Sequence, residues 1–364
     1  MEHVRLNART QQFMKVQKIG VTKMELPSRA DHLWRYTPWK RIHPSTVETI
    51  PDAVPFRWEI DEGGVLTDGM PRVMADGEIA RVFLSELGKT GISLSTDGTQ
   101  PVVHIRAVAS GHTSVGHLHF DCDKDVTVII HLSGEAEWAG LHITGSVKSN
   151  VRAAIGFVNE LSANSKLLRC EDWTVQRDAT LEMASLSIGG FRCKNDLRTR
   201  LTGTGGSLTQ AISVHGHEQR HVDHHIEIHH DIGHTTSDLH IHAACNDESH
   251  SISTGLLTIA EAANHSDAGQ VFKNLLLSER SRAEAIPELE VLADEVSANH
   301  GAASSPVNSE QMHYLMSRGL GADEATSLII EGFMQDGFSA LNSKALVDEM
   351  RTRLTVHLEC ELMR

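Results

Sequence analysis

Between about Arg72 and Gly301 the chain is a succession of strand-length stretches rich in Val, Ile, Leu and Thr, separated by Gly, Asp, Asn and Ser. The clearest are Val102–Arg106, Val126–Leu132, Gly140–Val147, Thr180–Ile188, Leu208–Val214, His224–His230, Leu239–Ala243, Leu256–Ile259 and Glu288–Leu292. Most alternate with period 2, which places successive side chains on opposite faces of a strand. No helix-length amphipathic stretch separates most of them, which argues against a doubly wound α/β sheet. A large sandwich, a barrel and a solenoid of short strands all remain open. Aromatic residues make up only 4% of the chain. That is few for one thick globular core and sufficient for thin layers of aliphatic rungs.

The flanks read differently. Val4 to Met24 is amphipathic and is ended by Pro27. The aromatic knot His32-Leu33-Trp34-Arg35-Tyr36-Thr37-Pro38-Trp39 is expected to be extended or turn-like and docked on something apolar. At the other end, Asn308 is placed to cap a helix through Met312, Tyr314 and Leu315, with Gly319 closing it. Asp323 or Glu324 opens a second helix, and a third from about Ser343 repeats Leu346, Met350, Leu354, Leu358 and Leu362 every four residues. The division expected is 1–71 mixed and helical, 72–303 strand-rich, 304–364 helical.

Chemistry concentrates in histidine. There are 24, of which 11 lie between His215 and His250. On a strand, His225, Glu227 and His229 share one face, with His224, Ile226, Ile228 and His230 on the other. Asp238, His240 and His242 repeat the arrangement. Imidazole and carboxylate suit zinc or ferrous iron, and a cupin-like metalloenzyme using His215-Gly216-His217 or His240-Ile241-His242 is one reading. The other takes these histidines as solvent-facing strand residues. No G-x-S-x-G elbow is present, and Gly203-Thr204-Gly205-Gly206 lacks the lysine of a phosphate loop, so it reads as a turn.

Composition narrows the partners. A formal net charge of −15 disfavours nucleic acid and anionic lipid. No apolar run approaches the ~20 residues that span a bilayer. Cys122, Cys170, Cys193, Cys245 and Cys360 are scattered without a C-x-x-C pair, which predicts reduced, buried thiols in a cytoplasmic protein.

The segment from Pro287 to Ala302, PELEVLADEVSANHGA, resembles the signature of the SufD/SufB family of iron–sulfur cluster assembly scaffolds. Glu310 to Leu320, Ala325 to Phe333, Gly255-Leu256-Leu257, Asn274 to Leu277 and Trp34-Arg35-Tyr36-Thr37-Pro38 fit the same family, on its SufD side. The resemblance implies a mainly β fold, a right-handed parallel β-helix flanked by N- and C-terminal helical segments. It implies a non-enzymatic scaffold that pairs through its β-helix with a SufB-like subunit or a second copy. A SufC-like ABC ATPase would dock on its C-terminal helices. It also implies a transient iron–sulfur cluster in the complex, with none tightly bound to the isolated chain. The histidine of the His-Gly-Ala motif is the family's implicated ligand, and here that is His300. Ala298 stands where the family often has Cys. Phe272 and Gly301 stand where SufB-like chains carry a cysteine and a glutamate. Neither offers iron a donor atom, which favours the SufD role over a homodimeric SufB-like scaffold.

Overall fold

The computed structural model describes residues 21, 24–46, 49–71, 78–96 and 100–363. The amphipathic stretch from Val4 and the Arg72 boundary lie outside these residues. From Gly91 onward, successive strands alternate between two sheets, each pairing in parallel with the strand one coil earlier. Ten-residue strands such as Trp138–Val147, Lys166–Val175, Arg192–Leu201, His221–His230 and His250–Ile259 stack in one sheet. Arg152–Leu161, Thr180–Ser187, Ser207–Gly216, Thr236–Cys245 and Asp267–Leu276 stack in the other. This is a parallel β-helix. It removes the sandwich and the barrel, and with the barrel the cupin reading.

Period-2 alternation fills the space between the sheets. Cys193, Leu197 and Leu201 point inward from one strand and Val222, Ile226 and Ile228 from the next. Each coil adds such a layer, so the core is long and thin, as the low aromatic content requires. Trp173 is the exception in size; a Cβ on Gly145 would lie 2.1 Å from its ring, so the coil below must be bare at that point. Corners repeat as well as layers. Asn150, Asp178, Gly205, His234 and His265 all have positive φ at the same turn of successive coils. Gly, Asn, Asp and His are the residues that tolerate this conformation. The glycine-rich segment at 203–206 is therefore a corner of the solenoid.

The two ends differ. At the N-terminal end, Arg57–Ile60 and Gly64–Gly69 turn antiparallel onto Val103–Ala109 and Gly91–Thr96. At the other end the last strands, Arg282–Val291 and Ser297–Pro306, each pair on one side only. Ser297–Pro306 is largely exposed and Arg282–Val291 mostly half-buried, with Ala285, Leu289 and Ala298 only partly covered.

Two layers cover the sheets from outside. Helices α1 (Trp39–Ile42) and α2 (Ile79–Leu87) lie against the ten-stranded sheet, with Trp34, Trp39, Ile42, Phe83 and Leu84 packed on Trp138 and Leu168. The aromatic knot docks on an apolar surface as expected, with a 3-10 turn at His32–Trp34 in line with its turn-like reading, and only its last residue, Trp39, enters the helix α1. The short α2 was hidden in the strand-rich region. Helices α3 (Ser309–Ser317), α4 (Ala322–Asp336) and α5 (Lys344–Leu362) follow the last strand. Asn308 caps α3 through Glu310 N and Gln311 N, and Gly319 has φ +99°. Glu324 folds back onto Gly321 N. Leu346, Met350, Leu354 and Leu358 seat α5 on the nine-stranded sheet, while Leu362 is exposed. Among the described residues no helix is long and apolar enough to cross a membrane.

Candidate functional site

His300 lies in the last strand, and its register defines its setting. Val128, Ile155, Met183, Gln210, Leu239 and Gln270 form one column, each paired with the next, and His300 pairs with Gln270 at its end. Every earlier member of that column is buried in the solenoid interior. His300 is exposed because, among the described residues, no further coil covers it. An imidazole therefore occupies a core-facing position at the open mouth of the β-helix.

Gln270, directly beneath it, donates from Nε2 to the Glu288 carbonyl at 2.9 Å across to the other sheet. Its Oε1 is buried without a partner among the described residues. A buried acceptor left unsatisfied costs about 1–3 kcal/mol and marks a place where a donor from outside is favoured. Phe272 is fully buried in the same coil, and Gly301 has nothing within 4 Å of where a Cβ would sit. His300 is thus the one nitrogen ligand among the motif positions Phe272, Ala298, His300 and Gly301.

The histidine run behaves differently from its solvent-facing reading. His224 and His230 are completely buried, and His215, His217, His225 and His242 nearly so. The face-sharing pattern holds: Glu227 accepts from His225 at 2.9 Å and from His229 at 3.2 Å. His224 faces the interior, where burial first, then Arg169, holds it near 3 and hence neutral. His225 is covered because the segment around His32 and Thr37 lies over this sheet. Thr37 donates to Asp223 at 2.6 Å, and the His32 ring meets His225 edge-on.

Under that layer, one outward column reads His117, His142, Cys170, Asp196 and His225. Arg81 of α2 is buried among them, bonded to Asp172 at 2.9 Å and to Asp196. Asp196, His225 and Glu227 have ligand atoms within 4.8 Å of one another. Arg81 and Arg198 already neutralise those carboxylates, so this set is filled as an ion-pair network. Sequence reasoning missed the column because its members are 25 to 29 residues apart.

Four cysteines are buried and Cys360 is exposed. Burial pushes Cys122, Cys193 and Cys245 up to about 12, and Cys170 also upward. Protonated thiols of this kind are poor nucleophiles and poor ligands.

Residues 105–333 match the family model described as the SUF system FeS cluster assembly, SufBD core domain. The chain belongs to the SufBD family. Its relatives include the SufBD family protein of Mycobacterium leprae, 24% identical over 94% of this chain and 92% of that one. The SufD of Escherichia coli is 26% identical over 70% of this chain and 62% of its own length. That of Bacillus subtilis reaches 39% over 26% of this chain and 21% of its own. This SufBD protein is accordingly a component of iron–sulfur cluster assembly, built as a parallel β-helix with helices at both ends.

Proposed function

We propose that this SufBD protein is a non-catalytic scaffold in the SufD role, which presents His300 to a nascent cluster at the junction with a second β-helix. The observation that carries this is the position of His300 at the end of an interior column, in an uncapped coil. Ten-residue edge strands with free N–H and C=O groups are templates for pairing, and proteins cover them. Ala285, Leu289, Ala298 and the exposed Val291 and Leu292 add apolar surface around the same mouth. A SufB-like subunit or a second copy laid edge to edge would bury His300 between two solenoids. The cluster is cargo, held there in the complex and lost when the subunits part. Because Phe272, Ala298 and Gly301 supply no donor, the partner must bring the remaining ligands, and this favours a SufB-like subunit.

The ATPase contact is assigned to the helical end. A groove of about 740 Å³ lies between α3, α4 and the last strands, lined by Leu275, Tyr314, Leu315, Leu328, Ile329 and Phe333. Tyr314 and Leu328 are 58% and 48% exposed, so among the described residues no element covers the groove's apolar walls. Such a surface takes an apolar helix face from a SufC-like ABC ATPase. The working setting is the cytoplasm, and the division at 71 and 303 gives the truncation points.

The two contacts are separable in one co-purification experiment with SufB-like and SufC-like partners. Ala302→Arg, in the exposed last strand, is expected to abolish pairing and leave ATPase binding intact. Leu328→Glu is expected to weaken ATPase binding at least tenfold, about 1.4 kcal/mol, with pairing retained. If either substitution leaves its own contact intact, that assignment is wrong.

A further inference from the structure

A second histidine constellation lies three coils back from the last strand, on the outer face of the sheet, where α5 crosses it. His215 and His217 are two residues apart at the end of strand Ser207–Gly216, and both face outward, toward the helix. His357, in the last turns of α5, comes down between them. His215 Nδ1 is 2.9 Å from His357 Nε2. The three ring centroids are 5.1 to 6.0 Å apart. One ligand atom from each lies within 4.8 Å of the other two.

Glu361, one helical turn beyond His357, places a carboxylate oxygen 3.8 Å from His217 Nε2. That nitrogen is buried and has no hydrogen-bond partner among the described residues. A His-x-His pair on a strand thus meets a His-x-x-x-Glu pair on a helix. Around them, Arg220 is engaged with the Ile188 carbonyl, and Glu218 and Asp247 lie on the neighbouring turns.

We infer that His215, His217 and His357 form a binding site for a borderline divalent cation of the zinc class, with Glu361 as fourth ligand, that staples α5 to the β-helix. Three neutral imidazoles and one carboxylate are a donor set zinc favours, and a tetrahedral ion with bonds of about 2.0–2.1 Å needs donors about 3.3 Å apart. The His215–His357 pair has only to open by a few tenths of an ångström. Burial, with His357, His217 and Arg220 adding to it, holds His215 well below its usual value, and burial likewise lowers His217. Both are therefore in the ligand-competent neutral form. Among the described residues two other sets bring ligand atoms together: His104, His131 and Glu349, where Glu349 is bonded to Arg353 at 3.0 Å, and Asp196, His225 and Glu227, where Asp196 is paired with two guanidiniums.

This inference stands apart from the cluster reading, since His300 and the open mouth are not involved. The test is cobalt titration of the full-length, tag-free, metal-stripped protein, followed by its visible absorption and by zinc displacement. One equivalent of Co²⁺ should bind with the intense visible bands of a tetrahedral ion and be displaced by Zn²⁺. His357→Ala and His217→Ala should each weaken binding by about 100-fold or more, whereas His104→Ala should not. Alanine at 357 is a good helix former, and circular dichroism of the variant should be unchanged. Zn²⁺ should raise the melting temperature of the natural protein and not that of His357→Ala. Absence of a tetrahedral spectrum at millimolar Co²⁺, or a spectrum untouched by His357→Ala, would overturn the assignment.

Discussion

Replacing Arg81 by Met tests how the outer layer is held to the β-helix. The guanidinium is fully buried and bridges Asp172, Asp196 and the Glu171 carbonyl. Removing one member of a buried ion pair costs about 3–5 kcal/mol, mostly by leaving the other charge unpaired. Here each carboxylate keeps one further partner, His142 at 2.8 Å for Asp172 and Arg198 at 3.1 Å for Asp196. Met also refills the apolar part of the site. The expected loss is therefore at the low end, about 3 kcal/mol at neutral pH.

The pH dependence carries a sign. Burial raises Asp196, but Arg81 and Arg198 outweigh it and hold the carboxyl at about 2; Asp172 is likewise lowered, by His142 and Arg81 against burial. Folded-state values below the unfolded one contribute stability above about pH 4 that is lost as pH falls toward 2. Without Arg81 those values rise, so the deficit of the variant should shrink as pH falls from about 6 toward 3. Glu78 faces the same group and is pushed up to about 7 by burial and Asp196. Arg81 pulls it down, so it should rise further in the variant and move the response the same way. Urea unfolding followed by tryptophan fluorescence reads this directly, since Trp34, Trp39 and Trp138 belong to that layer. A loss below about 1 kcal/mol, or one independent of pH, would refute the ion-pair account.

Glu182 receives Asn342 N, Asn342 Nδ2 and Ser343 N at 2.7 to 3.0 Å, anchoring the start of α5. Glu182→Ala should cost about 1.5–3 kcal/mol and speed amide exchange in α5 selectively; uniform exchange would count against it. With a thiol reagent, native protein should react at Cys360 alone, and all five cysteines should react in denaturant, because the other four are buried. A second fast-reacting native thiol would show that the solenoid opens.

Much of this molecule was legible beforehand, for identifiable reasons. Strands such as Val126–Gly134 and Thr180–Ser187 showed themselves because Val, Ile and Leu alternate inward within a few residues. The capping of α3 by Asn308 and the four-residue repeat of α5 are equally local. Arg192–Leu201 was not legible, since its outward face carries Lys194 and Asp196, buried by a distant layer, and the half-buried Arg198, all polar to the eye. Ser297–Pro306, with no β-branched residue, is a strand only because it pairs with Asp267–Leu276. The coils were invisible as repeats because successive ones advance by 25 to 32 residues, as the pairings Thr113–Trp138 and His250–Arg282 show. The same distance explains why His225 read as a surface residue and why His357 was not joined to His215. His300 came from family resemblance, and its meaning from register.

The most direct test of the account is cluster assembly by the complex of this chain with SufB-like and SufC-like partners, carrying His300→Ala. The variant should fold, pair and bind the ATPase as before, while iron–sulfur cluster formation falls about tenfold or more, the scale of losing a positioned ligand. His229→Ala, at a position about one-fifth exposed beside Glu227, serves as the control and should leave assembly unchanged. Full assembly by His300→Ala, or its loss in His229→Ala alone, would contradict the placing of the cluster at the open end of the β-helix.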